Sequence, residues 1–166
     1  EGFVRGVLRK GRVVAGARGV VVGAGGVGSA IAASLAGAGV ATLAVFDTRS
    51  ASADALAERL RRHHPALEVL SGSTDPEGFD LVVNATPLGM KPGDPMPLDV
   101  SRIAPTTLVG EVVMKEERTP FLRAAIERGC EVQVGTDMLF EMIPAYLEFF
   151  GYPTTTADHL RELARL

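Results

Sequence analysis

The sequence has 166 residues, 46% hydrophobic and 22% charged, with a net charge of −3. That is enough chain for one domain with a sizeable core, and the weakly acidic balance lacks the basic footprint of a nucleic-acid binder. No apolar run approaches the ~20 residues of a membrane span, no secretory leader is visible, and Cys130 is the single cysteine, so no internal disulfide is possible. The expectation is a cytoplasmic protein in which Cys130 is a small buried side chain.

Phe3, Val4, Val7 and Leu8 recur at spacings that predict one apolar helical face over 2–9. The basic stretch from Arg9 to Arg18 reads as a turn. Gly19-Val20-Val21-Val22 is a short, wholly apolar run ending at glycine, the pattern of a strand buried on both faces. Residues 26–38 are rich in alanine, carry Ile31 and Leu35, and read as a helix ended by Gly39. Thr42 to Phe46 is a second strand. Ala51 to His63 is a second such helix, with Leu56 and Leu60 inward and Arg59, Arg61 and Arg62 outward. Leu67 to Leu70, Leu81 to Asn84, Leu108 to Val113 and Glu131 to Val134 complete six strands. Helices are predicted at Pro120 to Arg128, Met138 to Phe149 and Ala157 to Leu166. Short strands alternating with longer helices predict an α/β, Rossmann-type doubly wound sheet, mainly parallel, with helices on both faces. Its ligand site belongs at the carboxyl ends of the strands.

Gly23-Ala24-Gly25-Gly26-Val27-Gly28 lies between a predicted strand and a predicted helix, the context in which Gly-x-Gly-x-x-Gly carries meaning. Gly23 permits the tight turn, Gly25 lets the backbone approach a pyrophosphate, and Gly28 lets the helix pack close to the strand. The pyrophosphate would lie on the N–H groups of the helix N-terminus. Asp47 follows the second strand at about the 20-residue offset of the acid that accepts from adenosine ribose hydroxyls. It also suits the N-cap of the next helix. A carboxylate there favours NAD over NADP. Arg49, two residues on, keeps NADP possible.

Val82-Val83-Asn84-Ala85-Thr86-Pro87-Leu88-Gly89-Met90 resembles the Asn-Ala-Thr-Pro-x-Gly-Met signature of the shikimate and quinate dehydrogenases. The glycine turn, Thr119-Pro120-Phe121-Leu122 and Gly135-x-x-Met138-Leu139 also match. The resemblance spans nearly the whole chain and implies the NAD(P)-binding domain of such an enzyme. It implies reversible hydride transfer between nicotinamide and the 3-hydroxyl carbon of a shikimate- or quinate-like cyclohexane carboxylate. Carried over residue by residue, Gly23, Ala24, Gly25, Gly26, Val27 and Gly28 form the phosphate loop. Asp47, Thr48 and Arg49 read the adenosine ribose. Asn84, Ala85, Thr86 and Pro87 line the cofactor, with Asn84 and Thr86 offering polar groups beside the ribose. Val112, Gly135 and Met138 lie at the nicotinamide end.

The chain also departs from the family. NADP-using members usually carry Asn-Arg-Thr where Asp47-Thr48-Arg49 stands, so the match is closer to NAD-using members. A usual substrate-side tyrosine is Met114, and a usual glutamine is Met142. A thioether cannot replace a carboxamide's paired donor and acceptor. Asp137 stands where glycine is common. The resemblance further implies that the lysine and aspartate of catalysis come from an N-terminal substrate domain, bordered by residues 1–18 and 137–166. The start at Glu1, with no methionine, is expected of a processed chain or a piece of a longer one.

No lysine here has a matching context: Lys10, Lys91 and Lys115 read as solvated charges, and no catalytic residue is assigned. His63 and His64 read as helix-terminal cations, and His159 shows no acidic partner. No metal-ligand cluster stands out. The helix of Phe3 and Val7 and the region from Tyr146 to Tyr152 are expected to be exposed once separated from a second domain, which predicts self-association or a homodimer. Other readings are a non-catalytic nucleotide-binding or regulatory module and a folate- or tRNA-linked dehydrogenase; the Asn84 to Met90 stretch argues against the latter.

Overall fold

The structure, a computed structural model, describes residues 1–164; Arg165 and Leu166, the end of the last predicted helix, lie outside the described residues. The element order is α1 (Gly2–Arg9), β1 (Arg18–Val22), α2 (Gly26–Gly37), β2 (Thr42–Phe46), α3 (Ser50–His63), β3 (Glu68–Ser71) and β4 (Leu81–Asn84). A 3₁₀ turn (Val100–Arg102), β5 (Leu108–Glu111), α4 (Pro120–Glu127), β6 (Glu131–Gln133), α5 (Gly135–Phe149) and α6 (Ala157–Leu163) follow. The six strands form one sheet in the order β3-β2-β1-β4-β5-β6. Every pairing is parallel, so the expected fold stands with no antiparallel edge.

The apolar runs of the strands are explained by two cores. Successive side chains point to opposite faces of a sheet. Val21, Leu43, Val45, Leu81, Val83 and Leu108 meet α1, α2 and α3 on one face. Val20, Val22, Ala44, Val82 and Val109 meet Ile103 and the α4 residues Phe121, Leu122 and Ala125 on the other. Polar residues at alternate positions would place charge in one core, so the central strands are apolar until their ends, where Asn84 and Glu111 stand.

Two expectations for α1 are corrected. Phe3 and Val7 are buried in the sheet's own core, not laid open for another domain. Gly110 of β5 is the reason: a Cβ there would lie 2.7 Å from the Phe3 ring, so the absent side chain makes room for it. Leu8 is 53% exposed, because it falls at the far edge of the stripe centred on Phe3 and Val7. The region from Tyr146 to Tyr152 is as open as expected, with Phe149 82% exposed.

The chain leaves the centre of the sheet twice. It winds outward through β2 and β3, then returns to β4 beside β1 and winds the other way. The crossover connections therefore diverge between β1 and β4, and a crevice opens at the carboxyl ends of these strands.

Candidate functional site

Three backbone hydrogen bonds hold the glycine turn at that crevice. The Gly23 N–H donates to the Phe46 carbonyl at 2.7 Å, and Ala85 N–H donates to the Val22 carbonyl at 2.7 Å. The Ser29 N–H donates to the Gly25 carbonyl at 2.8 Å and starts the helix. Gly23 has φ +104°, and a Cβ there would meet the Ala85 carbonyl oxygen at 2.8 Å. At Gly28 a Cβ would lie 1.8 Å from the Gly23 carbonyl oxygen. Gly25 and Gly26 are the opposite case, since a Cβ at either would meet nothing within 4 Å. Two glycines are thus required by crowding, and two leave open space in front of α2. No side chain caps that helix, so its first N–H groups and its dipole are available to an anion.

Asp47 does not cap α3. The N-cap is Arg49, with no side-chain cap bond. The Asp47 carboxylate turns back instead, accepting from the Ala24 N–H at 2.8 Å and the Arg49 N–H at 2.9 Å. It therefore ties the glycine turn to the exit of β2. These two backbone donors hold its carboxyl below the ordinary value, with the Arg49 charge assisting and burial opposing. A carboxylate has about four acceptor positions, so capacity remains for a ligand. The Arg49 guanidinium lies 3.8 Å from Asp47 and is otherwise largely in solvent. A cavity of about 490 Å³ joins Gly23 and Gly25 to Asp47, Thr48, Arg49, Ala85, Thr86 and Pro87. Met96 and Pro97 complete its wall. Sequence reading missed them because the segment between β4 and the 3₁₀ turn has no periodicity to place it.

The turn after β4 is built around Asn84, which is fully buried. Its Nδ2 donates to the Leu88 carbonyl at 3.1 Å and to Glu111 Oε2 at 3.4 Å. Its Oδ1 accepts from the Thr86 N–H at 3.1 Å and the Thr86 hydroxyl at 2.6 Å. The Thr86 Oγ1 in turn accepts from the Leu88 N–H at 3.1 Å. Two donors and two lone pairs exhaust a carboxamide. Asn84 therefore shapes the turn and does not present a polar group to the crevice; Thr86 stands at the cavity wall. Glu111, absent from the sequence-based set, is buried beside it. Its only sequence signal was an acid inside the apolar run from Leu108 to Val113.

A second cavity, of about 320 Å³, lies on the other side of the turn. It brings together Met114, Met138 and Met142 with Gly26, Val27 and Tyr146. Gly135 does not face it. A Cβ at Gly135 would lie 2.2 Å from the Val113 carbonyl oxygen, so this glycine lets α5 start against the end of β5. Val112 packs partly into the core. Of the residues expected at this end, the structure groups the three methionines and leaves Val112 and Gly135 beneath them.

The remaining charges are mostly engaged. Lys10 is not a free solvated charge: its Nζ lies 3.4 Å from Asp137. Arg161 pairs with Asp137 at 3.2 Å and Glu141 at 2.9 Å, and Arg9 pairs with Asp158. Asp137 therefore helps to fasten α6 and α1 to α5, which accounts for an acid in place of a glycine. Lys115 donates to the Met90 carbonyl at 2.7 Å. His159 has an acidic neighbour after all, Glu162 at 3.9 Å, one turn along the same exposed helix. His63 and His64 lie at the end of α3 as expected. Cys130 is buried, and burial pushes its thiol up. No helix among the described residues is long and apolar enough to cross a membrane.

No family model matches the chain. The shikimate dehydrogenase (NADP(+)) of Jannaschia sp. (strain CCS1) is 35% identical over 149 residues, covering 86% of this chain and 52% of that protein. Among solved structures, the quinate dehydrogenase from Corynebacterium glutamicum in complex with NAD superposes with a TM-score of 0.81 at 35% identity. That match covers 99% of this chain and 61% of the other. The ligand-free 5-ketofructose reductase of Gluconobacter sp. strain CHM43 gives a TM-score of 0.85 at 29% identity, over 95% of this chain and 58% of that one. The chain spans about half the length of the sequence relative it matches. Over the length it has in common with them, the chain is homologous to the shikimate/quinate dehydrogenases.

Proposed function

We propose that this chain is the cofactor-binding domain of an NAD(P)-dependent dehydrogenase acting on a shikimate- or quinate-like hydroxy acid, and that it prefers NAD. The nicotinamide supplies or accepts the hydride. The chain's residues bind and orient. The open space at Gly25 and Gly26, in front of the uncapped N-terminus of α2, suits a pyrophosphate. The adenosine end falls in the cavity of Asp47, Thr48 and Arg49. The nicotinamide and substrate end falls toward Met114, Met138 and Met142.

The observation that carries the preference is Asp47. Its carboxylate is held ionised by two backbone N–H groups at the cavity wall. A ribose hydroxyl can donate to it, whereas a 2′-phosphate meets a like charge. Arg49 weakens that discrimination without removing it, because it is already drawn toward Asp47. Calorimetric titration of the whole protein with NAD and with NADP tests this reading. We expect NAD to bind more tightly; tighter binding of NADP overturns it.

Catalysis needs a base at the substrate hydroxyl. The methionine cavity has no lysine or histidine on its wall. Its one acid, Glu1, pairs with Arg5. We therefore assign the base and the substrate-holding groups to residues outside this chain. The same scarcity supports a second reading, a nucleotide-binding module without catalysis. Steady turnover by the whole protein with NAD and a cyclic hydroxy acid separates the two.

A further inference from the structure

The Asn84 turn depends on a buried acid to which no role has been given. We infer that Glu111 is a positioning residue for the nucleotide crevice: it seats Asn84 from beneath, and Asn84 seats the turn at Thr86 and Leu88. The inference rests on reading this crevice as the cofactor site. Asn84 and Glu111 are register partners at the carboxyl ends of the adjacent strands β4 and β5. Glu111 is fully buried, and its Oε2 accepts from Asn84 Nδ2. The bond takes the one Asn84 proton not used inside the turn. Without it the carboxamide is free to rotate, and Thr86 loses the fixed acceptor for its N–H and hydroxyl.

The chemistry at Glu111 is that of a neutral acid. Its Oε1 has no hydrogen-bond partner and is sealed from solvent. No cation among the described residues pairs with it. From β4 it is faced by the neutral Asn84 amide and from the start of α4 by the neutral Thr119 hydroxyl, while the charge that reaches it is that of Glu116, of like sign. An unpaired carboxylate in such a place is costly, which favours the protonated form. Burial pushes its carboxyl up, and the neighbouring Thr119 and Asn84 draw it only partly back. As the acid it presents a carbonyl oxygen to Asn84, which a glutamine side chain reproduces and an alanine does not.

The test uses the whole protein with E111Q and E111A, following backbone amide exchange at Thr86 and Leu88 and NADH affinity by fluorescence. E111Q is expected to match wild type in both, within about twofold. E111A is expected to exchange faster at these two amides and to bind NADH about tenfold more weakly, the scale of one buried hydrogen bond. Wild type should also loosen as pH rises and Glu111 ionises, whereas E111Q should not. The inference fails if E111A behaves as wild type or if E111Q loses as much as E111A. Should E111A not fold, parallel pH profiles for wild type and E111Q overturn it equally. If wild type binds neither NADH nor NADPH, the cofactor reading falls, and amide exchange alone decides the role of Glu111.

Discussion

The two cavities that flank the glycine turn are opposites in construction. On the Asp47 side, the Asp47 carboxylate is held by the Ala24 and Arg49 N–H groups, and Asn84 and Thr86 form a separate hydrogen-bonded turn with Leu88. On the other side, three flexible thioethers and a half-exposed tyrosine line the wall, with almost no hydrogen bonding among them. The first is preorganised to recognise one polar shape. The second adapts to what covers it, as methionine surfaces do. The lesson is that one domain can set a hydrogen-bonded, preorganised cavity beside an adaptable apolar one.

The sharpest way to break the finished side is steric. Gly28→Val places a side chain where even a Cβ is 1.8 Å from the Gly23 carbonyl oxygen. We expect loss of dinucleotide binding by about 100-fold or more, with destabilisation of about 3 kcal/mol, as for overpacking that cannot relax. Binding within a few-fold of wild type, measured by calorimetry, removes the steric account of the turn.

Next in size is the loss of the Asp47 tether. Asp47→Ala leaves the Ala24 N–H without its partner, and unfolding should report a cost of about 1–3 kcal/mol. The pH dependence has a definite sign. The folded carboxyl lies below the ordinary value of 3.8, chiefly through the Ala24 and then the Arg49 backbone donors. Its contribution is therefore fully present above 3.8 and lost as pH falls through the folded value. Urea unfolding of wild type and Asp47→Ala should differ by a constant amount at neutral pH and converge in acid. A difference unchanged down to about pH 2 contradicts the tether.

The smallest expected effect is on the adaptable side. Met114→Tyr with Met142→Gln restores hydrogen-bonding groups to a wall that has thioethers. In the whole protein, kcat/KM for shikimate should rise by about tenfold or less, one hydrogen bond's worth. No change would mean that these positions do not face the substrate.

The glycine turn and the order of elements were legible because each rests on short-range physics. Gly23 and Gly28 stand where crowding excludes a side chain, as their spacing demands, and the apolar strands follow from burial on both faces. The resemblance at Asn84 to Met90 located the second wall but not its mechanism. Asn84 looked like a ligand contact and is a fully occupied internal brace. Asp47 looked like a helix cap and is a tether across the crevice. Glu111 and the Met96-Pro97 wall gave no usable signal, because one partner of each contact lies on a distant segment.

The sequence by itself determined the local geometry: where the chain turns, which runs enter a parallel sheet, and that a helix N-terminus faces an open glycine loop. These follow from periodicity and from the steric freedom of single residues. Only the tertiary structure decided the partners. It buried Phe3 against Gly110, aimed Asp47 at Ala24, set Glu111 beneath Asn84 and joined Asp137 to Lys10 and Arg161. The direction in which a polar side chain points depends on donors and acceptors brought beside it by the fold, and no local spacing encodes them.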